Sequence, residues 1–216
     1  MEKLNNEEKI IKNCIQKVKA LKAYNNDGKD FDHSMRVYNL CLEIIERDYA
    51  IREINKLNVR LAALLHDIDP ADISDFLKDY DDISEAAIMN IILQMDSKKV
   101  ISIEAAVVQD ADMLDSIGAV GIARTFMYNA SYRSNQSETI QHFYNDLLLV
   151  ADKLNTNAAK FMAEKRHKFM EDFLSQYFDE DMISTCNHKG SMRYIAEENH
   201  SICMKCGREF TISEKW

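Results

Sequence analysis

Three short fragments of this chain place histidine or aspartate on helical stripes that are otherwise apolar. They are Asp32-His33-Ser-Met-Arg36-Val, Leu64-Leu65-His66-Asp67 and Val108-Gln109-Asp110-Ala111-Asp112. One histidine on an apolar face is more often an ordinary core residue, but three buried polar groups without partners would be costly. The helices that carry them must therefore bring these groups together. A shared metal ion is the partner that explains all three, so the sequence predicts one metal site where three helices meet.

Helical periodicity accounts for most of the remaining chain. Only one proline, Pro70, and five glycines interrupt 216 residues that are rich in good helix formers. We expect Pro70 to stop the third helix, and residues 71–83 to form an acidic connection. The spacing of apolar residues predicts helices over 6–24, 31–47, 56–67, 84–95 and 101–116, a segment at 119–129, and longer helices near 137–153 and 157–179.

Charge and cysteine usage limit the partners and the compartment. The net charge of -9 argues against non-specific binding to nucleic acid or membranes, although a bound cation would still admit an anionic substrate. No apolar run reaches the length of a membrane span, and the first residues lack the apolar core of a signal peptide. Cys14 and Cys41 sit alone in helical patterns, as buried thiols do. We therefore expect a cytoplasmic protein.

The candidate ligands occupy positions that favour convergence on one ion. His33 lies four residues before Val37 on one apolar stripe, and Asp110 lies within the apolar stripe of the helix predicted over 101–116. Adjacent residues such as His66 and Asp67 point about 100° apart on a helix, so they can share an ion only near a helix end. Imidazole nitrogen and carboxylate oxygen together suit Mn, Fe, Co, Ni, Zn or Mg.

These fragments resemble the HD superfamily of metal-dependent phosphohydrolases, whose signature is H…HD…D. The sequence around each motif is most similar to the small YedJ-like branch of this superfamily, above all over residues 108–124. The resemblance extends from about residue 20 to about residue 180. It implies an all-α fold: an HD-domain helical bundle over residues 1–183. A small C-terminal zinc ribbon is expected over residues 184–216.

The resemblance also implies a ligand set and a reaction. His33, His66, Asp67 and Asp110 would hold one divalent metal, with Mn favoured, and the chain would hydrolyse a phosphate ester or anhydride. The substrate is expected to be a small phosphorylated molecule, a nucleotide such as a nucleoside mono- or triphosphate. Many relatives carry further histidines between the second and third motifs. This chain has none there, which favours a single-metal site.

Two other functions remain open from the sequence. One is a phosphodiesterase that acts on cyclic nucleotides or single-stranded nucleic acid, although the acidic charge makes nucleic acid the weaker choice. The other is a non-catalytic nucleotide sensor or adaptor that docks a protein partner through the ribbon. The complete ligand set favours an enzyme, and a helical domain of this size is compatible with a homodimer.

Residues around the ligands are candidates for catalysis and substrate binding. Asp67 and Asp115 are candidate catalytic carboxylates, and Asp115 could orient a ligand, transfer a proton, cap a helix or form a salt bridge. Arg36, one turn after His33, could clamp a phosphate or pair with an acidic neighbour. Lys98 and Arg124 could also contact an anionic substrate.

Two later histidines have a simpler alternative. His142 is a candidate substrate ligand by resemblance, and the resemblance also gives His167 a place near the pocket. Each is followed four residues later by a carboxylate, Asp146 and Glu171, so ordinary ion pairs on helix surfaces are equally compatible with the sequence.

The C-terminal segment carries a separate metal-binding pattern. Cys186 and His188 form one close pair, and Cys203 and Cys206 form a second pair after fourteen intervening residues. Two such pairs across a short loop are typical of a structural zinc site, with His200 as a competing fourth ligand. Because the segment is too short for its own core, the zinc would supply its folding energy. We predict a zinc ribbon with a small β-hairpin, in a structural or protein-docking role.

Overall fold

A computed structural model describes residues 6–23, 29–97, 100–131 and 136–180, except the side chain of residue 137, and the backbone of three strands beyond residue 191. The helices are α1 (Asn6–Leu21), α2 (Phe31–Arg47), α3 (Lys56–Leu65), α4 (Pro70–Leu77), α5 (Glu85–Met95), α6 (Ile103–Asp115), α7 (Gly118–Ser131), α8 (Gln136–Asn145), α9 (Val150–Lys153) and α10 (Asn157–Glu180), with a short 3-10 helix at Leu147–Leu149 between α8 and α9.

The centre of the helical domain is α3. Every residue from 61 to 65 is buried, because α1, α2, α5 and α6 all pack against this helix. Its short apolar side chains allow close approach, and the longer apolar residues of α2 and α6 fill the space between the helices. Cys14 and Cys41 belong to this core as buried free thiols, which confirms the prediction for both.

Local capping fixes where the three central helices begin. Asp30, Asn55 and Ser102 precede α2, α3 and α6, and the side chain of each accepts a hydrogen bond from the backbone N–H three residues later. These caps set the phase of each helix. As a result, the first turn of α2, the end of α3 and the last turn of α6 meet at one end of the bundle.

Two predicted boundaries are wrong. Pro70 does not lead into an irregular connection but starts α4, with Asp69 as its cap accepting from the Ala71 N–H at 2.8 Å. Proline is favourable in a first turn because that N–H has no helical partner. The single helix predicted over 137–153 is divided by the 3-10 turn at Leu147–Leu149. Three consecutive leucines would point in three different directions on an α-helix, so they cannot all belong to one apolar stripe.

Glycines permit the tight connection between α6 and α7. Gly118 has a φ of 79°, which L side chains rarely adopt, and a Cβ at Gly121 would lie 2.2 Å from the carbonyl oxygen of Ser116. The two glycines therefore allow α7 to begin directly beside the last turn of α6.

The C-terminal segment contains a three-stranded antiparallel sheet, which agrees with the expected hairpin. Its strands are β1 (Met192–Ile195), β2 (His200–Cys203) and β3 (Glu209–Thr211), in the order β1-β2-β3, with Met192 opposite Cys203. Over the described residues, no helix has both the length and the apolar character that a membrane crossing requires.

Candidate metal centre

His33 is buried in the first turn of α2, with both ring nitrogens facing polar groups. The side chain of Asp30 accepts from its backbone N–H at 2.7 Å and so fixes its place in the turn. The ring Nδ1 lies 2.8 Å from Oδ2 of Asp115, a carboxylate at the end of α6. Because the carboxylate can only accept, Nδ1 carries the proton.

His66 is oriented in a similar way by the backbone. It follows the last residue of α3, and its Nδ1 donates to the carbonyl oxygen of Ala63 at 2.9 Å. In the neutral form of both rings, the Nε2 atoms therefore carry lone pairs. These two Nε2 atoms face each other at 3.2 Å. Two lone pairs at this distance repel, so the arrangement requires a cation, either a proton or a metal ion, between the rings.

Two carboxylates complete the cluster. Oδ2 of Asp67 lies 3.3 Å from Nε2 of His33 and from Nε2 of His66, and Oδ1 of Asp112 lies 3.5 Å and 3.9 Å from the same two nitrogens. Oδ2 of Asp67 is buried and has no hydrogen-bond partner within the described part of the chain.

The distances of the two imidazole nitrogens to each other and to the two carboxylate oxygens are compatible with one metal ion. Ligand atoms bound at about 2.1 Å and at right angles to one another are about 3 Å apart. His33, His66 and Asp112 form a group of potential ligands whose atoms all lie within 4.8 Å of one another. Oδ2 of Asp67 lies 3.3 Å from both Nε2 atoms. Two imidazoles and two carboxylates could therefore hold a divalent ion and leave positions open for water and substrate.

Asp110, predicted as a ligand, does not belong to this cluster. Its carboxylate is fully buried on the opposite face of α6. Oδ1 accepts from the backbone and side-chain N–H groups of Asn155, and Oδ2 accepts from the backbone N–H and hydroxyl of Thr156, at 2.7 to 2.8 Å. These bonds fasten α6 to the start of α10 and occupy both oxygens. Asp112, rather than the predicted Asp110, is the α6 carboxylate that lies beside the two imidazoles.

Asp115 is surrounded by positive charge. Besides His33, it accepts from Arg36 Nε at 2.6 Å and from Arg124 Nη1. Burial opposes ionisation of this carboxyl, but the hydrogen bonds from His33 and Arg36 and the charge of Arg124 lower its pKa to about 2. Asp115 therefore stays ionised and orients His33, and both arginines predicted to contact phosphate are anchored on it.

Two lysines that the sequence analysis did not select lie against Asp67. Lys29 donates to Oδ1 at 2.7 Å, and the buried ammonium of Lys22 lies 3.7 Å from Oδ2. Burial would raise the pKa of the Asp67 carboxyl, but His33, His66 and Lys29 hold it well below its usual range. Both lysines belong to the ends of the α1–α2 connection, so only the tertiary path of the chain could reveal them.

The remaining predicted residues lie elsewhere. His142 of α8 lies 2.8 Å from Asp146, and His167 lies 3.6 Å from Glu171, so each histidine contacts the carboxylate four residues later. Lys98 lies outside the described residues, as do Cys186, His188 and Cys206. For Cys203 and His200 only the backbone, in β2, is described.

The fold and this cluster match a known family. An HD-domain family model matches residues 30–117, the part of the chain that carries all four proposed ligands. YpgQ of Bacillus subtilis (strain 168) is 34% identical over 184 residues, which cover 74% of this chain and 87% of YpgQ. The chain belongs to the HD-domain family.

Solved structures of relatives support the same assignment. A crystal structure of Bacillus subtilis YpgQ in complex with ADP superimposes with a TM-score of 0.69 at 30% identity, covering 80% of this chain and 95% of that one. An HD-superfamily hydrolase from Bacillus thuringiensis gives a TM-score of 0.66 at 33% identity, covering 81% and 98%. The helical domain thus has the fold of HD-superfamily hydrolases, with a group of residues that could hold a divalent metal.

Proposed function

We propose that this protein hydrolyses a phosphate ester or anhydride bond of a nucleotide, using one divalent metal ion held by His33, His66, Asp67 and Asp112. The observation that carries the proposal is the convergence of two imidazole lone pairs and a buried carboxylate oxygen that accepts no hydrogen bond from the described residues. An ordinary helical core would not retain such a cluster, because each group in it is costly to bury alone.

Each residue has a defined task in this proposal. His33, His66, Asp67 and Asp112 would hold the divalent ion, which would supply Lewis acidity toward a water and a phosphoryl oxygen. Asp115 keeps the proton of His33 on Nδ1, so that Nε2 remains a ligand. Arg36 and Arg124 are held by Asp115 with 31% and 23% of their side chains exposed, and a guanidinium group is suited to binding phosphate oxygens.

A nucleotide substrate is supported by the charges around the cluster and by a relative. Two arginines and two lysines border the ligands although the chain as a whole is acidic. YpgQ was crystallised with ADP, and this chain matches it over most of its length. Among the divalent ions that imidazole and carboxylate ligands together can hold, we favour Mn²⁺.

A turnover screen tests the proposal. The protein, stripped of metal and reloaded with Mn²⁺, is mixed with nucleoside mono-, di- and triphosphates and with cyclic nucleotides, and the products are identified by mass. Hydrolysis of one class identifies the bond that is cut. Asp67→Asn should abolish it, because the amide replaces one charged ligand oxygen.

A matched control is Asp75→Asn, which removes an exposed carboxylate paired with Lys78 on α4. It should retain wild-type turnover. If no nucleotide is hydrolysed with Mn²⁺, Mg²⁺, Co²⁺ or Ni²⁺, or if Asp67→Asn remains fully active, the proposal is wrong.

We also propose that residues 184–216 form a zinc ribbon with Cys186, His188, Cys203 and Cys206 as ligands. The two closely spaced pairs support this assignment, and so do the antiparallel strands in the same segment. Its role would be structural or protein-docking, and a homodimer and membership of the YedJ-like branch stay predictions. Metal analysis of the full chain with its Cys203→Ser and Cys206→Ser variants tests the zinc: we expect one equivalent of zinc, which the variants lose.

A further inference from the structure

The two ends of the α1–α2 connection meet at one carboxylate. Lys22 directly follows α1, and Lys29 lies two residues before α2. Their ammonium groups contact different oxygens of Asp67, Lys29 at 2.7 Å from Oδ1 and Lys22 at 3.7 Å from Oδ2. One proposed metal ligand thus has a lysine on each side.

The two lysines differ sharply in burial. The side chain of Lys22 is 2% exposed, and its ammonium also donates to the buried hydroxyl of Ser34 at 2.8 Å. A buried ammonium is held in place because leaving its partners would strand a charge. Lys29 is 60% exposed. Water can solvate the ammonium of Lys29 when it leaves Asp67, and Lys22 still compensates the carboxylate, which is only 9% exposed. Lys29 can therefore move away from Asp67 at lower cost than Lys22.

Exposure also separates Lys29 from the other cations of the site. Arg36 and Arg124 are 31% and 23% exposed and are both engaged with Asp115. Lys29 is therefore the most accessible of the four cations that border the cluster. When a divalent ion binds beside Asp67, it repels the Lys29 ammonium, while an incoming phosphate attracts it.

We propose that Lys29 binds a phosphate group of the substrate by moving from Asp67 to a phosphate oxygen, while Lys22 remains beside Asp67 and keeps its charge compensated. This inference rests on the proposed function for the identity of the substrate, but phosphate binding itself can be measured without turnover. It assigns different tasks to the two lysines: Lys22 positions a metal ligand, and Lys29 contacts the substrate.

Calorimetry on the full chain loaded with Mn²⁺ tests the inference, with ADP and inorganic pyrophosphate as the probes. Lys29→Met should weaken the binding of at least one probe about tenfold, since a charged hydrogen bond is lost. Lys29→Arg should restore most of this affinity. Mn²⁺ should bind Lys29→Met at least as tightly as wild type, and the melting temperature should hardly change because Lys22 still pairs with Asp67.

Lys78→Met is the matched control. Lys78 is 63% exposed and donates to Asp75 at 2.5 Å. Its replacement by Met changes the net charge of the protein by the same amount as Lys29→Met and also breaks a lysine–aspartate pair, but one that does not include a proposed metal ligand. Unchanged probe affinity in Lys29→Met, or an equal loss in Lys78→Met, would overturn the inference, as would a wild-type protein that binds neither probe. If wild type binds a probe more tightly than Lys29→Met but hydrolyses no nucleotide, the inference stands and the proposed function fails.

Discussion

The imidazole of His33 lies between two carboxylates of one helix, with Nδ1 at 2.8 Å from Asp115 and Nε2 at 3.5 Å from Asp112. The two aspartates are three residues apart on α6, so they project from the same face. One orients the ring, and the other lies on its ligand side. This relationship gives α6 two distinct tasks in the site.

Asp115→Asn should weaken Mn²⁺ binding by about 10- to 100-fold, because the amide no longer attracts the Nδ1 proton of His33 as strongly as the carboxylate. Titration calorimetry of the metal-free protein measures this change. Asp146→Asn is the control, since Asp146 makes the same 2.8 Å contact to a histidine Nδ1 on the exposed face of α8. Equal Mn²⁺ affinity in Asp115→Asn and wild type would refute the orienting role.

Asp112 and Asp110 should behave in opposite ways when each is changed to asparagine. Asp112→Asn should lose Mn²⁺ binding and keep its melting temperature, because its side chain is 43% exposed. Asp110→Asn should be destabilised by on the order of 3 kcal/mol, since an amide nitrogen would then face backbone N–H donors. The variant should still bind Mn²⁺ below its melting temperature. The reverse pattern, with metal binding lost only in Asp110→Asn, would restore Asp110 as the ligand.

Metal binding should weaken as the pH falls. Burial opposes the charged form of His33, but the hydrogen bond to Asp115 and the carboxylate of Asp67 beside the ring raise its pKa above the usual value of 6.5 in the metal-free protein. A metal ion must displace this proton, so affinity is full above the raised pKa and decreases below it. Calorimetry in buffers of different ionisation enthalpy should detect proton release at pH 7. Binding without proton release at that pH contradicts this account of the cluster.

Cys14 and Cys41 should resist thiol reagents in the folded protein. Burial raises the pKa of the Cys14 thiol to about 12, and it raises that of Cys41 further. Iodoacetamide at pH 8 followed by peptide mass mapping should therefore leave both unmodified until denaturant is added. Rapid labelling of either thiol under native conditions would mean that the core around α1 and α2 opens readily.

Local sequence patterns were sufficient for the central helices and for three of the four proposed ligands. The apolar spacing that defined 31–47 predicted α2 with its observed bounds and placed His33 toward the interior. A helix end at His66-Asp67 was required for both residues to reach one ion, and α3 does end there. These features depend on short-range periodicity and capping.

The fourth proposed ligand depends on information that is not local. Asp110 lies within the apolar stripe of α6, but its full burial there reflects a partner 45 residues later, Asn155. A metal ligand needs an open side, and Asp112 at the edge of the stripe has one. Spacing could have suggested it, since Asp112 and Asp115 share a face. Lys22 and Lys29 could not have been found this way, because they approach from a connection between helices.

The location of the metal ion is the central claim, and anomalous scattering tests it most directly. A crystal of the protein soaked in Mn²⁺ and measured near the manganese edge should give one strong peak in the helical domain. We expect that peak within coordination distance of Nε2 of His33, Nε2 of His66, Asp67 and Asp112. A peak at Asp110, or manganese elsewhere with these four residues unliganded, would contradict the account.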